Sequence, residues 1–383
     1  MNKTCLTVIL LALSLMLGGC ATPAEPAIGV KRSEVLAQID KVNTYWQAHK
    51  PAKEWAFWDV AAYHTGNIEA YRVTGNERYR RYSEEWAEHN AWKGAASDNK
   101  AAWKYNYGET PEHVLFGDWQ ICFQTYADLY MMDKNPDKDP RKIARAREVM
   151  EYQMSTPNRD YWWWADGLYM VMPVMTKMFK ITGNRQYLDK LHEYYEHANS
   201  IMYDAEEQLY YRDAKYVYPK HKSSSGKKDF WARGDGWVFA GLAKVLAELP
   251  KDDPYRAKYV ERYREMALAV ARSQQPGGYW TRSMLDPGHA PGPESSGTAF
   301  FTYGLLWGIN NGLLPREVYL PAAQRGWRFL SGVAVQLDGK VGYVQPIGER
   351  AIPGQVVNQH STTHFGVGAF LLAAAEMSRL ADQ

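Results

Sequence analysis

From Ser33 onward, apolar residues recur at helical spacing in stretches of roughly 12 to 18 residues parted by short breaks. Alternating β-branched runs are few, so the chain is expected to be overwhelmingly helical. Two of the breaks repeat. Tyr71-Arg72-Val73-Thr74-Gly75-Asn76-Glu77-Arg78-Tyr79 is echoed by Phe179-Lys180-Ile181-Thr182-Gly183-Asn184-Arg185-Gln186-Tyr187. In each, glycine can take the left-handed conformation that closes one helix, and a polar residue then opens the next. Related punctuation falls at Leu249-Pro250-Lys251-Asp252-Asp253-Pro254 and Asn310-Asn311-Gly312-Leu313-Leu314-Pro315. Helix pairs repeated on this scale stack as an open solenoid or close into a ring. The chain has room for about twelve helices of typical length. Aromatic and glycine clusters fall in the longer inter-helix segments, as if crowding one mouth, and this favours closure. The expected fold is therefore all-α, a single (α/α)6 barrel over residues 33–383, since no interior linker rich in Pro, Gly or Ser divides it.

The segment before this pattern reads as an address. Lys3 precedes an apolar run from Leu6 to Leu17, and Gly18 and Gly19 lead to Cys20. The run is shorter than the roughly 20 residues a spanning helix needs. Leu17-Gly18-Gly19-Cys20 resembles the bacterial lipobox, which implies a lipoprotein signal over 1–20, lipidation at Cys20 and export to the periplasm or outer membrane. A plain signal peptide with an incidental cysteine is the alternative. Residues 21–32, rich in Pro and Ala, read as a flexible tether. Of the other two cysteines, Cys5 lies in the signal and Cys122 stands alone, so no intramolecular disulfide is expected and stability must come from buried area.

A formal net charge of +2 provides no single-sign field and argues against a nucleic-acid partner. Contact with a membrane is expected only through the lipid anchor. Aromatic residues make up 14% of the chain, with 15 Trp and 27 Tyr. Buried packing accounts for most of such rings, but flat aromatic faces also stack on sugars.

Three clusters carry candidate chemistry. In Asp160-Tyr161-Trp162-Trp163-Trp164-Ala165-Asp166-Gly167-Leu168-Tyr169-Met170, one carboxylate sits among rings. Desolvation there should raise the pKa of Asp166 and suit it to general acid work. The competing reading is that Asp166 merely caps a helix. In Phe230-Trp231-Ala232-Arg233-Gly234-Asp235-Gly236-Trp237, two glycines permit close backbone approach and Arg233 offers a planar donor pair to a carboxylate, as an acidic sugar would need. Pairing of Arg233 with Asp235 in a tight turn is the alternative. Gly292-Pro293-Glu294-Ser295-Ser296-Gly297 opens an apolar helix through Phe300, Phe301, Leu305 and Trp307, and capping by Ser295 or Ser296 explains it well enough. Absences narrow the field. There is no phosphate loop, HExxH or CxxC pair, the Ser295 segment misses GxSxG spacing, and the histidines show no pairing at helix spacing that would nominate a metal site. Neither a metal nor a cofactor is expected.

Taken in order, Trp164-Ala165-Asp166-Gly167-Leu168-Tyr169-Met170, Leu209-Tyr210-Tyr211-Arg212-Asp213, Trp231-Ala232-Arg233-Gly234-Asp235-Gly236-Trp237 and Glu294-Ser295-Ser296-Gly297-Thr298-Ala299 resemble glycoside hydrolase family 105, the unsaturated rhamnogalacturonyl hydrolases and their relatives. The resemblance covers nearly all of the chain after the tether and implies an (α/α)6 barrel. It also implies hydration of the enol ether in a 4,5-unsaturated uronic acid at a non-reducing end, with an acidic oligosaccharide as substrate. By motif match, Asp166 would be the general acid and base. Trp231 and Arg233 would hold the sugar, with Arg212, Trp164, Trp237 and Ser295 as further substrate-facing positions.

The sequence departs from the family in two places. Where relatives carry an Asp pair, it reads Pro111-Glu112-His113-Val114-Leu115-Phe116-Gly117-Asp118, so Glu112 or His113 stands at the expected second catalytic position. Where relatives tend to have Asn, it has Asp235, whose charge could neutralise a clamp at Arg233. Altered substrate or reduced activity would follow. Two alternatives stay open: a hydrolase of saturated uronosides, and a surface lipoprotein that binds acidic glycans with weakened catalysis.

Overall fold

The computed structural model describes residues 29–381. The segment read as a signal, Cys20 with it, and most of the tether lie outside them. The first helix starts at Arg32, the last residue of the segment read as tether.

Twelve α-helices follow among the described residues: α1 (Arg32–His49), α2 (Trp58–Thr74), α3 (Glu77–His89), α4 (Cys122–Met132), α5 (Arg141–Ser155), α6 (Ala165–Thr182), α7 (Gln186–Met202), α8 (Ala232–Glu248), α9 (Arg256–Ser273), α10 (Ser295–Asn310), α11 (Arg316–Phe329) and α12 (His364–Leu380). A two-residue hairpin, β1 (Tyr203–Asp204) against β2 (Leu209–Tyr210), is the sole sheet among them. The even-numbered helices touch in sequence, α2 to α4, α4 to α6, α6 to α8, α8 to α10, α10 to α12, and α12 returns to α2. That closed ring is the inner wall of an (α/α)6 barrel. The odd-numbered helices pack outside it, as α1 does against α12 and α2, and α9 against α8 and α10.

Burial explains why the two sets of helices read differently. An outer helix hides one stripe: α3 buries only Tyr79, Ser83, Trp86 and Ala87. An inner helix is enclosed on all sides, and α10 is buried from Ser295 through Ile309. A helix apolar all round belongs in a core. The inner-to-outer turns are short. Gly75 and Gly183 close α2 and α6 with φ of 68° and 71°, each donating its N–H to the carbonyl four residues back, on Tyr71 and Phe179. Asn76 then caps α3 by accepting from Arg78 N.

The outer-to-inner connections include the long segments, and they gather at the N-terminal ends of the inner helices, where the aromatic clusters reside. The opposite end is closed by ions: Lys177 Nζ lies 2.6 Å from Asp128 Oδ1 and 3.1 Å from Glu248 Oε1, and Arg379 Nη2 lies 2.6 Å from Glu69 Oε2.

Ring closure depends on backbone contact between the first and last inner helices. A Cβ at Gly66 would come 2.1 Å from the carbonyl oxygen of Gly368, and one at Gly368 would come 2.4 Å from that of Ala62. Backbone cannot yield there. Gly66→Ala is therefore expected to destabilise the protein by about 1–3 kcal/mol or more, the usual cost of overpacking. Chemical denaturation would show it as a lower midpoint with an unchanged slope, and an unshifted midpoint would mean that α2 and α12 can separate at little cost.

Candidate active site

Asp166 stands in the first turn of α6, behind Trp164, whose ring it shares space with. Trp164 can fill that space because Gly117 and Gly167 lie under its indole, where a Cβ at either would come within 3.0 to 3.2 Å of the ring. Phe116 packs on Trp164 with centroids 4.9 Å apart. The α6 cap position is Trp164 itself, and it makes no side-chain cap hydrogen bond. Asp166 is not consumed as a cap: its Oδ2 is buried and accepts no hydrogen bond. Burial raises its pKa, opposed first by the charge of Arg212 and then by that of Arg233.

Arg212 follows β2 in the α7–α8 connection. Its Nε lies 3.6 Å from Asp166 Oδ2, too long for a hydrogen bond, and is likewise buried and unpaired. Two complementary polar atoms left open in one cavity are the feature a ligand would complete. Elsewhere on the guanidinium, Nη1 donates to Asp213 Oδ2 at 2.6 Å.

The cavity, about 290 Å³, is lined by Asp166, Arg212, Trp164 and Met170 together with residues that sequence reading did not nominate: Trp55, Phe57, Trp58, Asp59, Tyr107, Glu109, Asp118, Ile347, Gly348 and Glu349. Two larger hollows flank α5 with carboxylates that are exposed or half-exposed, and another of about 360 Å³ lies at the opposite end of the barrel, where Glu69, Glu248 and Glu376 pair with Arg379, Lys177 and Lys180. Asp118 matters most. It sits in a 3-10 turn, 6% exposed, and its pKa is driven well above the usual carboxylate range by burial and then by the charge of Asp166. The two carboxyls therefore titrate as an interacting pair, both made reluctant to ionise by burial. Asp59 is also raised by burial, opposed by His364, whose Nε2 lies 2.7 Å from Glu54 Oε2. Among the described residues, no group of three His, Cys, Asp or Glu side chains is placed to hold a metal ion.

The buried carboxyl that lines the cavity with Asp166 is Asp118, whereas Glu112 and His113 are placed outside it. Glu112 is held by Thr110, whose hydroxyl donates to its Oε2 at 2.6 Å, and this keeps its carboxyl below the usual range. His113 Nδ1 meets the same hydroxyl at 3.0 Å, and its ring packs against Gly108. Neither lines the cavity.

The Trp231–Trp237 cluster is placed behind the site. Arg233 is 1% exposed, with Trp231 and Phe365 rings 4.5 and 4.6 Å from its guanidinium carbon. It donates to the carbonyls of Gln345 at 2.8 Å and Pro346 at 2.9 Å, while Trp231 Nε1 donates to Gln345 Oε1 at 2.8 Å. Burial pulls the guanidinium down to about 10, so it remains cationic at neutral pH. Asp235 does not pair with it. That carboxyl accepts from Tyr210 N at 2.8 Å, and burial holds its pKa well above the usual range. Trp237 is core, 4.3 Å from Phe300 and 4.8 Å from Tyr169 between centroids. Ser295 donates to Gly342 O at 2.6 Å. The α10 cap is Glu294, which accepts from Ser296 N and Gly297 N, rather than either serine.

The whole folded chain matches a known pattern. The model of Glycosyl Hydrolase Family 88 covers residues 32–381. An unsaturated 3S-rhamnoglycuronyl hydrolase of Formosa agariphila is 33% identical over 370 residues, 92% of this chain and 93% of that protein. Among solved structures, a family 88 glycosyl hydrolase from Bacteroides vulgatus is 59% identical with a TM-score of 0.89, over 91% of this chain and 99% of its own. A structure described as a polysaccharide lyase is 66% identical with a TM-score of 0.89, over 92% and 98%. With the match running from the first helix to the last and the barrel closed as described, this chain belongs to glycosyl hydrolase family 88 and is a glycoside hydrolase.

Proposed function

We propose that this enzyme removes a 4,5-unsaturated uronic acid from the non-reducing end of lyase-generated oligosaccharides, and that its four sequence motifs place it with family 105. The carrying observation is the unpaired Asp166 Oδ2 facing the unpaired Arg212 Nε inside an aromatic cavity. Arg212 receives the uronate carboxylate, a charge-assisted contact that a neutral sugar does not make. Asp166, kept reluctant to ionise, delivers its proton to C4 of the alkene. Positive charge develops at C5 beside the ring oxygen, water adds there, and the proton it sheds returns to Asp166. The hemiketal opens to a keto acid and the shortened saccharide departs, with one water consumed and no glycosyl-enzyme bond formed. Asp118, which burial makes reluctant to ionise, hydrogen-bonds a sugar oxygen. Trp58 and Trp164 supply the ring faces. Export and tethering through a lipidated Cys20 would place the enzyme where such fragments enter the cell envelope.

One observation favours a second reading, β-elimination on a saturated uronate: the relative at 66% identity described as a polysaccharide lyase. Its chemistry would use the same groups differently, with Arg212 neutralising the carboxylate while a base takes the C5 proton and the C4–O bond breaks. The two readings have opposite optical signs. Purified enzyme given unsaturated uronyl oligosaccharides is expected to bleach the ultraviolet absorbance of the conjugated double bond and release a keto acid. Absorbance that instead grows on saturated uronate oligosaccharides, with unsaturated ones left intact, would replace hydration by elimination.

A further inference from the structure

The cavity has a buried floor and an exposed rim. Asp118, Trp164 and Asp166 are 6%, 1% and 7% exposed, whereas Trp55, Tyr107 and Ile347 are 44%, 61% and 62% exposed. Large apolar side chains left open around the mouth of a polar pocket are surface the fold has no need to show. All three are held in place. Trp55 packs edge-on against Trp119 at 5.8 Å between centroids, Tyr107 packs on Phe116 at 5.7 Å and donates its hydroxyl to Glu109, and Ile347 rides on the strap that Arg233 and Trp231 anchor through Gln345 and Pro346.

Two steps along that strap, Glu349 is fixed by Arg212, by Lys215 at 3.3 Å and by the hydroxyl of Tyr216 at 2.5 Å. Those contacts keep it below the usual carboxylate range, so it stays ionised.

The charge lining the cavity is one-sided. Five carboxyl side chains, Asp59, Glu109, Asp118, Asp166 and Glu349, share the lining with one guanidinium, Arg212, and burial makes Asp59, Asp118 and Asp166 reluctant to ionise, so the acidic character of the rim rests on Glu109 and Glu349. With a uronate carboxylate on Arg212, the further cation beside the rim is Lys215, which already pairs with Glu349 and Asp213. Glu109 and Glu349 stand with the exposed set.

We propose that the rim formed by Trp55, Tyr107 and Ile347 is the subsite for the adjoining sugar, and that Glu109 and Glu349 make it selective for a neutral sugar over a sulfated or carboxylated one. This rests on the pocket assignment made above. Ring faces and an aliphatic side chain receive the apolar face of a pyranose, and a deoxy sugar's methyl group most of all. An added sulfate would lie in a field set by two carboxylates, a repulsion that solvent at the rim reduces but does not cancel. The specificity is then set apart from the 3S-rhamnoglycuronyl group in the name of the Formosa agariphila relative.

The test is calorimetric and does not need turnover. The Asp166→Asn enzyme, which leaves the ligand intact, is titrated with an unsaturated uronyl-rhamnose disaccharide and with the same compound sulfated at rhamnose O3. The neutral compound is expected to bind about tenfold or more tightly, the scale of one like-charge contact at a partly solvated site. The Glu109→Gln/Glu349→Gln double variant should close most of that gap. Trp55→Ala should weaken the neutral disaccharide about five- to tenfold, as loss of an aromatic anchor does, and leave free unsaturated uronate unchanged. Equal affinities, a preference for the sulfated compound, or no binding of either overturns the proposal. Should the affinity order hold while wild-type enzyme bleaches neither compound, the assigned reaction fails and the subsite stands.

Discussion

Replacing Asp166 with Asn is expected to lower turnover of an unsaturated uronyl disaccharide roughly 10²–10⁴-fold, the contribution of a positioned general acid and base, or more if no other group can protonate the alkene. An amide nearly isosteric with the carboxyl keeps the cavity shape and a donor, but has no proton to transfer. The folded state should tolerate the change, because Asp166 caps nothing and its Oδ2 accepts no hydrogen bond. The measurement is initial rate by loss of double-bond absorbance, with thermal unfolding as the control. Wild-type rates in a stably folded variant would remove Asp166 from the chemistry and shift attention to Asp118, the other buried carboxyl in the cavity.

Arg212→Gln is expected to act on two quantities at once. The lost charge-assisted contact to the uronate should raise KM about 10- to 100-fold, corresponding to about 1.5–3 kcal/mol. The same guanidinium is the largest influence opposing the burial of Asp166, stabilising its anion. Without it, the Asp166 pKa climbs further. Sign follows from the acid role: activity needs the protonated form, is full below the raised pKa and declines as pH rises through it. The decline in the variant should therefore begin at a higher pH than in the wild-type enzyme. A merely structural arginine would change neither the position of that limb nor KM selectively. A pH profile that coincides with wild type, with KM unaltered, would sink the assignment.

The clusters of the sequence are informative about why some site residues could be found in it and others could not. Asp166 was legible because indoles surround it locally, and the same local signal marks Phe116-Gly117-Asp118-Trp119. Glu112 and His113 align with a family position but are turned onto Thr110, outside the cavity. Arg233 carries the right functional group for a carboxylate, yet two backbone carbonyls occupy it, and the open guanidinium atom in the cavity is Arg212 Nε. The difference is 21 positions along the chain and invisible in composition. Asp235 shows the converse: a carboxyl that suggests a disrupted clamp is not paired with Arg233, is made reluctant to ionise by burial, and takes the Tyr210 backbone amide on Oδ1.

By itself the sequence determined the architecture. Helical periodicity, enclosed apolar stretches alternating with striped ones, and glycine stops at Gly75 and Gly183 are local properties, set by backbone sterics and side-chain polarity within a turn or two. Tertiary structure alone decided which polar groups end up unpaired. Trp55, Asp59, Asp118, Arg212 and Glu349 come from five separate connections or helix starts, and they meet because ring closure brings the N-terminal ends of the inner helices to one mouth. Whether a buried acid or guanidinium is spent on the protein or left for a ligand depends on neighbours distant in the chain, and only the folded barrel supplies them.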